Sequence, residues 1–294
     1  MWPLFTGWAA LAEYRGGQPL AGYQMLMENA NLTWAQDLGA DTELLSGDFF
    51  VPFGRSTTHQ LWSSAMVVTP TLRGLFGIDI DAQTKTITVN PHLPAQWQEA
   101  GVKNLAIPGG PDDLTFAREG SFLTVRTEKG KHTGWKLKSD VPGTENRESR
   151  FSSAGLMIAI PLPSIEIVDG RSAWVDLTSG VRHFVETAQV PAPGSRTGRG
   201  RIVSEQWSDH KATLVFEAPA GVNGHYFILR HQLLPKLKVD CPDVKVDLPN
   251  GASKSIPCGS MIDSANRDPN LPVMITPQAP PGEGWKTITV TLTW

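Results

Sequence analysis

The sequence predicts an α+β protein in which helices come first and an all-β region follows. The chain of 294 residues has helical periodicity up to about residue 78 and alternating, strand-like segments after it. Short β-like segments recur with Gly- and Pro-containing turns between them, a pattern typical of β-sandwiches. We therefore predict helices over 1–78, a β-sandwich over 79–190 and a second β-sandwich-like unit over 191–294.

Two helices are predicted near the start of the chain. Apolar residues recur at helical spacing from Leu4 to Leu11, and Gly16 should end that helix. Pro is favoured in the first turn of a helix, so Pro19 should begin a second helix that runs to about Asn31.

A third helix is predicted after a loop rich in Gly and polar residues. Thr57 and Gln60 have the spacing of a capping box, so this helix should begin at Ser56 or Thr57. It should continue through Pro70 or kink there, and Gly77 should end it.

The region after residue 78 contains strand patterns and no predicted helix. The predicted strands are 84–89, 114–116, 122–126, 135–138, 155–160, 201–203, 212–217, 226–229 and 287–292. Glu119-Gly120 predicts a hairpin turn between the second and third of them. Residues 140–153 predict a long exposed loop. The Pro- and Gly-rich stretch 191–200 is either a linker between two β units or a loop within one.

Composition excludes some classes of function. The net charge of −3 gives no electrostatic reason to predict a nucleic-acid partner or an anionic membrane. No apolar run approaches the ~20 residues of a membrane span. Residues 1–5 lack a basic segment and a cleavage site, so no signal peptide is predicted.

The two cysteines, Cys241 and Cys258, are too few for a disulfide framework. Both lie in the Pro-rich C-terminal region, where one disulfide is possible. Ordinary reduced thiols are the favoured interpretation.

Glu43 is the main candidate for chemistry. It lies in a turn-like loop between Thr42 and Leu44-Leu45, and partly apolar surroundings suit a carboxylate that activates water. The alternative is a solvated surface glutamate, which is the more common role for a lone Glu.

Aromatic and amide side chains near Glu43 suit the binding of a sugar ring. His59 and Gln60 have groups that hydrogen-bond hydroxyls, and Trp62 follows on the same side of the predicted helix. Trp2 and Trp8 should line the same pocket if the first helix faces it. Core packing is the alternative for each Trp, and capping for Gln60.

No cofactor or metal is predicted. Asp37, Asp41 and Asp48 share the loop with Glu43, but their spacing does not fit an EF-hand, and loop capping is the more common role of Asp. No Ser-His-Asp triad, phosphate loop or zinc spacing is present.

Three segments resemble the last helical hairpins of the six-hairpin glycosidases. They are 2–9 (WPLFTGWA), 42–47 (TELLSG) and 59–65 (HQLWSSA). Within that clan they are most similar to the bacterial amylo-α-1,6-glucosidase-like (glycogen-debranching-like) group, which carries a β-sandwich after its (α/α)6 toroid. The resemblance covers about the first 100 residues, and it implies that the helices of 1–78 are the end of such a toroid.

The resemblance implies inverting hydrolysis of an α-glucosidic oligosaccharide, with Glu43 as general base. Trp62-Ser63 follows at the spacing found in related glucosidases. The family's general acid lies on an earlier hairpin, and inversion needs both carboxyl groups. We therefore expect the chain to be the C-terminal portion of such an enzyme, inactive alone, whose possible partner is the rest of the toroid. Relatives of this kind are often periplasmic or secreted.

Two other classes of function remain open from the sequence. The chain could be a non-catalytic carbohydrate-binding or structural β-sandwich module with helices as an adaptor. It could also be an interaction protein whose apolar helix face binds the rest of a toroid as another chain.

Overall fold

A computed structural model of the chain gives the fold. It describes residues 1–35, 38–94, 97–128, 134–144, 147–149, 155–163, 165–169, 174–175, 182–183, 190–196, 198, 200–221, 227–231, 237–242, 244–247, 251–256, 258–260, 273–275 and 278–294. The chain forms two compact units. The discontinuous unit comprises Met1–Pro70 and Ile165–Trp294, and the central unit comprises Thr71–Ser164. The predicted three-part division stays a prediction.

The described residues contain three α-helices, all in the discontinuous unit. They are α1 (Pro3–Arg15), α2 (Pro19–Leu32) and α3 (Leu61–Pro70). The first two are confirmed as predicted, each with Pro in its first turn. After Pro70 the chain makes a π-helical turn, Thr71–Leu75, and Gly77 follows with a φ of 61°.

The predicted start of the third helix is wrong. The helix begins at Leu61, and the capping box of Thr57 and Gln60 does not form. The N–H of Gln60 donates instead to the carbonyl oxygen of Asp41 at 2.8 Å. The Thr57 hydroxyl donates to the Gln60 side-chain oxygen at 2.7 Å.

The central unit is built from two four-stranded sheets. Its strands are β1 (Ile78–Asp81), β2 (Thr86–Val89), β3 (Glu99–Leu105), β4 (Asp112–Glu119), β5 (Phe122–Thr127), β6 (Lys136–Ser139), β7 (Glu148–Ser149) and β8 (Met157–Pro161). The sheet orders are β1-β2-β6-β7 and β3-β4-β5-β8. Pairing is antiparallel except between β2 and β6. The predicted hairpin of β4 and β5 is confirmed, while β7 lies in the stretch predicted as a loop.

Alternation of apolar residues places the core between these two sheets. Ile87 and Leu137 are paired on β2 and β6, and both are fully buried. Phe116 and Val125 are paired on β4 and β5, and they are buried in the same apolar cluster. One core shared by two sheets is compatible with a β-sandwich.

The discontinuous unit carries twelve described strands. They are β9 (Ile165–Asp169), β10 (Trp174–Val175), β11 (Arg182–His183), β12 (Arg201–Ser208), β13 (Lys211–Pro219), β14 (Phe227–His231), β15 (Lys238–Asp240), β16 (Val244–Asp247), β17 (Ser253–Ile256), β18 (Gly259–Ser260), β19 (Val273–Ile275) and β20 (Trp285–Thr293). The larger sheets have the orders β12-β13-β20-β15 and β18-β19-β14-β9, and β10-β11 and β16-β17 are two-stranded. Every described pairing in this unit is antiparallel. The fold is therefore α+β, with few helices and mostly antiparallel sheets.

Helix α2 shares a core with the first of these sheets. Leu214 and Phe216 of β13 are paired with Val290 and Ile288 of β20, and all four are buried. Ala21 of α2 is buried in the same cluster. The helical region of this unit is thus held to its own sheet.

Cys241 and Cys258 form a disulfide, with their Cα atoms 5.9 Å apart. The favoured interpretation of reduced thiols is therefore wrong. Their sequence positions carried no information on distance, whereas the fold brings both side chains to the same core.

Candidate functional site

Main-chain hydrogen bonds bring together the segments that carry the predicted site residues. Met1 and Leu45 pair in both directions: the Leu45 N–H donates to the Met1 carbonyl at 2.9 Å, and the Met1 amino group donates to the Leu45 carbonyl at 2.7 Å. The Gln60 N–H bonds to Asp41, as described above. The chain beside Trp2, the loop of Glu43 and the start of α3 therefore adjoin one another.

Glu43 lies at the centre of a second set of hydrogen bonds. Its N–H donates to the Thr57 carbonyl at 3.0 Å. The Thr42 hydroxyl donates to that same carbonyl at 3.0 Å, and the Leu44 N–H donates to Ser56 Oγ at 2.7 Å. These bonds fix the backbone on both sides of Glu43, whose side chain is half-buried.

The predicted polar partners lie on the segment that leads into α3. His59 is exposed, and its Nδ1 is 2.8 Å from the hydroxyl of Thr58. Gln60 is half-buried, and its side-chain oxygen is used by Thr57. Trp62, on the first turn of α3, is 48% exposed. Trp62 is therefore available for a ligand rather than used in the core.

The predicted aromatic residues at the start of the chain are on the surface. Trp2, Phe5 and Trp8 are exposed and follow one another at helical spacing. The rings of Trp2 and Phe5 are stacked at 5.0 Å, and those of Phe5 and Trp8 meet edge to face at 5.4 Å. We call these three residues the aromatic surface. Phe5 was not predicted as part of it, although its spacing from Trp2 and Trp8 carried that signal.

Other apolar side chains of this region are also exposed. They are Trp34, Leu38, Phe49, Phe53, Leu61 and Val68. Helices α1 and α3 pack so closely that a Cβ at Gly7 would overlap Met66. Helices α1 and α3 therefore pack tightly against each other, while large apolar side chains of the helical region remain exposed.

Asp41 is the residue of this region that sequence analysis undervalued. It is only 1% exposed, and neither carboxyl oxygen has a hydrogen-bond partner among the described residues. Burial raises the pKa of Asp41 to about 7, and the nearby Thr42 N–H opposes that rise without forming a hydrogen bond of normal geometry. The signal in the sequence was that the residues around Asp41 are apolar or small. This signal does not distinguish a buried carboxyl group from an Asp that caps a turn.

The two other Asp residues of this loop are Asp37 and Asp48. Asp48 is exposed, and its N–H donates to Ser46 Oγ at 3.2 Å. Asp37 lies outside the described residues. Within the part of the chain that the structure describes, no group of three or more His, Cys, Asp or Glu side chains could hold a metal ion.

None of the described helices has the length and apolar character that a membrane crossing requires.

Comparisons with protein-family models, with curated proteins and with solved structures found no match to this chain. The expected relationship to six-hairpin glycosidases therefore stays a prediction from the sequence.

Proposed function

We propose that this chain supplies the general-base part of an inverting glycoside hydrolase of the six-hairpin type, acting on α-linked glucose oligosaccharides. Glu43 is the base in this proposal. Trp2, Trp8, His59, Gln60 and Trp62 are the residues that bind the sugar. The helices α1–α3 are then the last hairpins of an (α/α)6 toroid.

The observation that carries the proposal is the meeting of three segments around Glu43. Met1 bonds to Leu45, Glu43 bonds to Thr57, and Gln60 bonds to Asp41. A half-buried carboxylate is thereby held on a fixed backbone among segments that carry exposed aromatic rings. A base that activates water needs a fixed position, and apolar ring faces suit the flat side of a pyranose.

Inverting hydrolysis needs a second carboxyl group besides Glu43, and this need supports the role of the chain as one part of a larger catalytic site. Inverting hydrolysis uses an acid and a base ~6.5–9.5 Å apart. A toroid of six hairpins also needs more helices than the three described. The aromatic surface and Leu61 are exposed apolar groups of the kind that neighbouring hairpins would cover. In this proposal the acid comes from hairpins outside the chain.

A second candidate is a carbohydrate-binding β module, and one observation favours it. Trp285, the first residue of β20, is 45% exposed on the sheet of the discontinuous unit. Arg201 lies over its ring at 5.3 Å. An exposed Trp on a sheet is also a surface on which a sugar could stack.

Isothermal titration calorimetry with malto-oligosaccharides separates the two candidates. Trp62→Ala and Trp285→Ala form a matched pair because both side chains are about half exposed. We expect Trp62→Ala to weaken binding about tenfold, equivalent to ~1.4 kcal/mol, and Trp285→Ala to leave it unchanged. The reverse result would favour the β module. Unchanged melting temperatures check that both variants fold.

A further inference from the structure

Asp41 is held in the middle of the contacts that fix Glu43. Its carbonyl accepts the hydrogen bond from the Gln60 N–H at 2.8 Å, and the next two residues bond to Thr57. Its own side chain is almost fully buried and has no hydrogen-bond partner among the described residues. Burial of a carboxyl group without partners favours its neutral form over its charged form.

We infer that Asp41 is a proton-dependent positioning residue: its neutral carboxyl keeps segment 41–45 against segment 56–60, and its ionisation favours release of that contact and of Glu43. The assignment of Glu43 as the base rests on the proposed function. The proton-dependent contact between the two segments does not depend on it.

The charged groups around Asp41 do not supply another explanation. The other titratable and charged groups on the described part of residues 1–70, and on the segment that pairs with Phe50, are the Met1 amino group, Glu13, Tyr14, Arg15, Tyr23, Glu28, Glu43, Asp48, Arg55, His59 and Arg196. In the described part of the chain, Asp41 forms no salt bridge with any of them. Burial is the cause that raises the pKa of Asp41 to about 7.

The direction of the pH effect follows from linkage. The pKa of an aspartate in water is ordinarily 3.8, and that of buried Asp41 is about 7. Between these values the closed form binds more protons than an open form in which the carboxyl reaches water. The opening equilibrium therefore rises about tenfold per pH unit from pH ~4 to ~7 and is constant above that. The contact is therefore firmest at pH ~4 and below.

Hydrogen exchange of the full chain, followed by mass spectrometry and corrected for intrinsic rates, tests this inference. We expect the protection of the amides of Glu43, Leu44, Leu45 and Gln60 to fall up to tenfold per pH unit between pH 4 and 7. Asp41→Asn should remove this dependence of protection on pH, because asparagine has the shape of aspartic acid and stays neutral. Asp48→Asn, a change at an exposed carboxylate of the same loop, should keep it.

Two outcomes would overturn the inference: no slope in the wild-type chain, or an equal slope in Asp41→Asn. If Asp41→Asn does not fold, NMR titration of the wild-type Asp41 carboxyl carbon tests the inference instead. A single step near pH 7, shared by the amides of residues 43–45, supports the inference, and a step near pH 4 refutes it. None of these measurements uses a substrate, so a failure of the proposed hydrolysis would be seen separately in an activity assay.

Discussion

Glu205 of β12 caps helix α2 at Leu20, whose N–H donates a 2.6 Å hydrogen bond to Glu205 Oε1. The N–H of Ala21 donates to the same oxygen at 3.2 Å, and Trp207 Nε1 donates to the other oxygen at 2.8 Å. The helix has no side-chain cap of its own at Gln18. A residue 185 positions away in the sequence therefore satisfies the first N–H groups of α2 and fixes the helix to its sheet.

The buried cap should make stability depend on pH. Glu205 is 4% exposed, and burial raises its pKa from 4.5 to about 7, with nearby Glu13 adding to the rise. A raised acid pKa gives stability that is complete below pH ~4.5 and is lost as pH rises to ~7. We expect urea unfolding of the wild type to lose about 3 kcal/mol over that range from this group. In Glu205→Gln, the total loss of unfolding free energy over this pH range should shrink to the part contributed by Asp41, whose pKa is shifted in the same direction.

The matched control is Glu217→Gln on the neighbouring strand. Glu217 pairs with Arg201 at 2.7 Å in an ion pair open to solvent. Its removal should change stability by less than about 1 kcal/mol and leave the pH slope intact. An unchanged slope in Glu205→Gln would contradict the account of the cap.

The disulfide of Cys241 and Cys258 should contribute to the stability of the discontinuous unit. It closes a loop with a sequence separation of 17 residues, and restriction of the unfolded chain by such a loop is worth about 3 kcal/mol. We expect a reductant to lower the free energy of unfolding by that amount in the wild type. The double variant Cys241→Ala and Cys258→Ala should be insensitive to the reductant, and equal stability of oxidised and reduced wild type would refute the prediction.

In the central unit, Gly77 and Gly120 form a matched pair that separates the cost of a steric overlap from the cost of backbone strain. Both have a φ of 61°. A Cβ at Gly77 would overlap the Asn90 carbonyl, whereas at Gly120 it would meet nothing within 4 Å. Gly120→Ala should cost about 1–2 kcal/mol from strain alone. Gly77→Ala should cost at least about 1 kcal/mol more, measured by thermal unfolding. Equal costs would show that the close approach to Asn90 is absent.

Local signals predicted the elements that depend on local chemistry. Pro19 marked the start of α2, and Glu119-Gly120 marked the hairpin of β4 and β5. Features that depend on distant contacts were not predictable. The start of α3 shifted because Asp41 takes the N–H of Gln60, and the cap of α2 comes from Glu205.

The candidate site shows the same division between local and distant information. The sequence selected Glu43 and the exposed Trp62, whose residue types suit sugar chemistry. The apolar and small residues around Asp41 did not show that its carboxyl group is buried without partners, because burial depends on segments distant in the sequence.

Hydrolysis by the assembled toroid tests the central proposal most directly. The chain, joined to the remaining hairpins of a six-hairpin glycosidase, would be assayed on α-linked glucose oligosaccharides as wild type, Glu43→Gln and Asp48→Asn. Removing a general base costs about 100- to 10,000-fold in turnover. We expect that loss for Glu43→Gln alone, with an unchanged melting temperature and inverted product from the wild type. Wild-type turnover in Glu43→Gln would contradict the proposal.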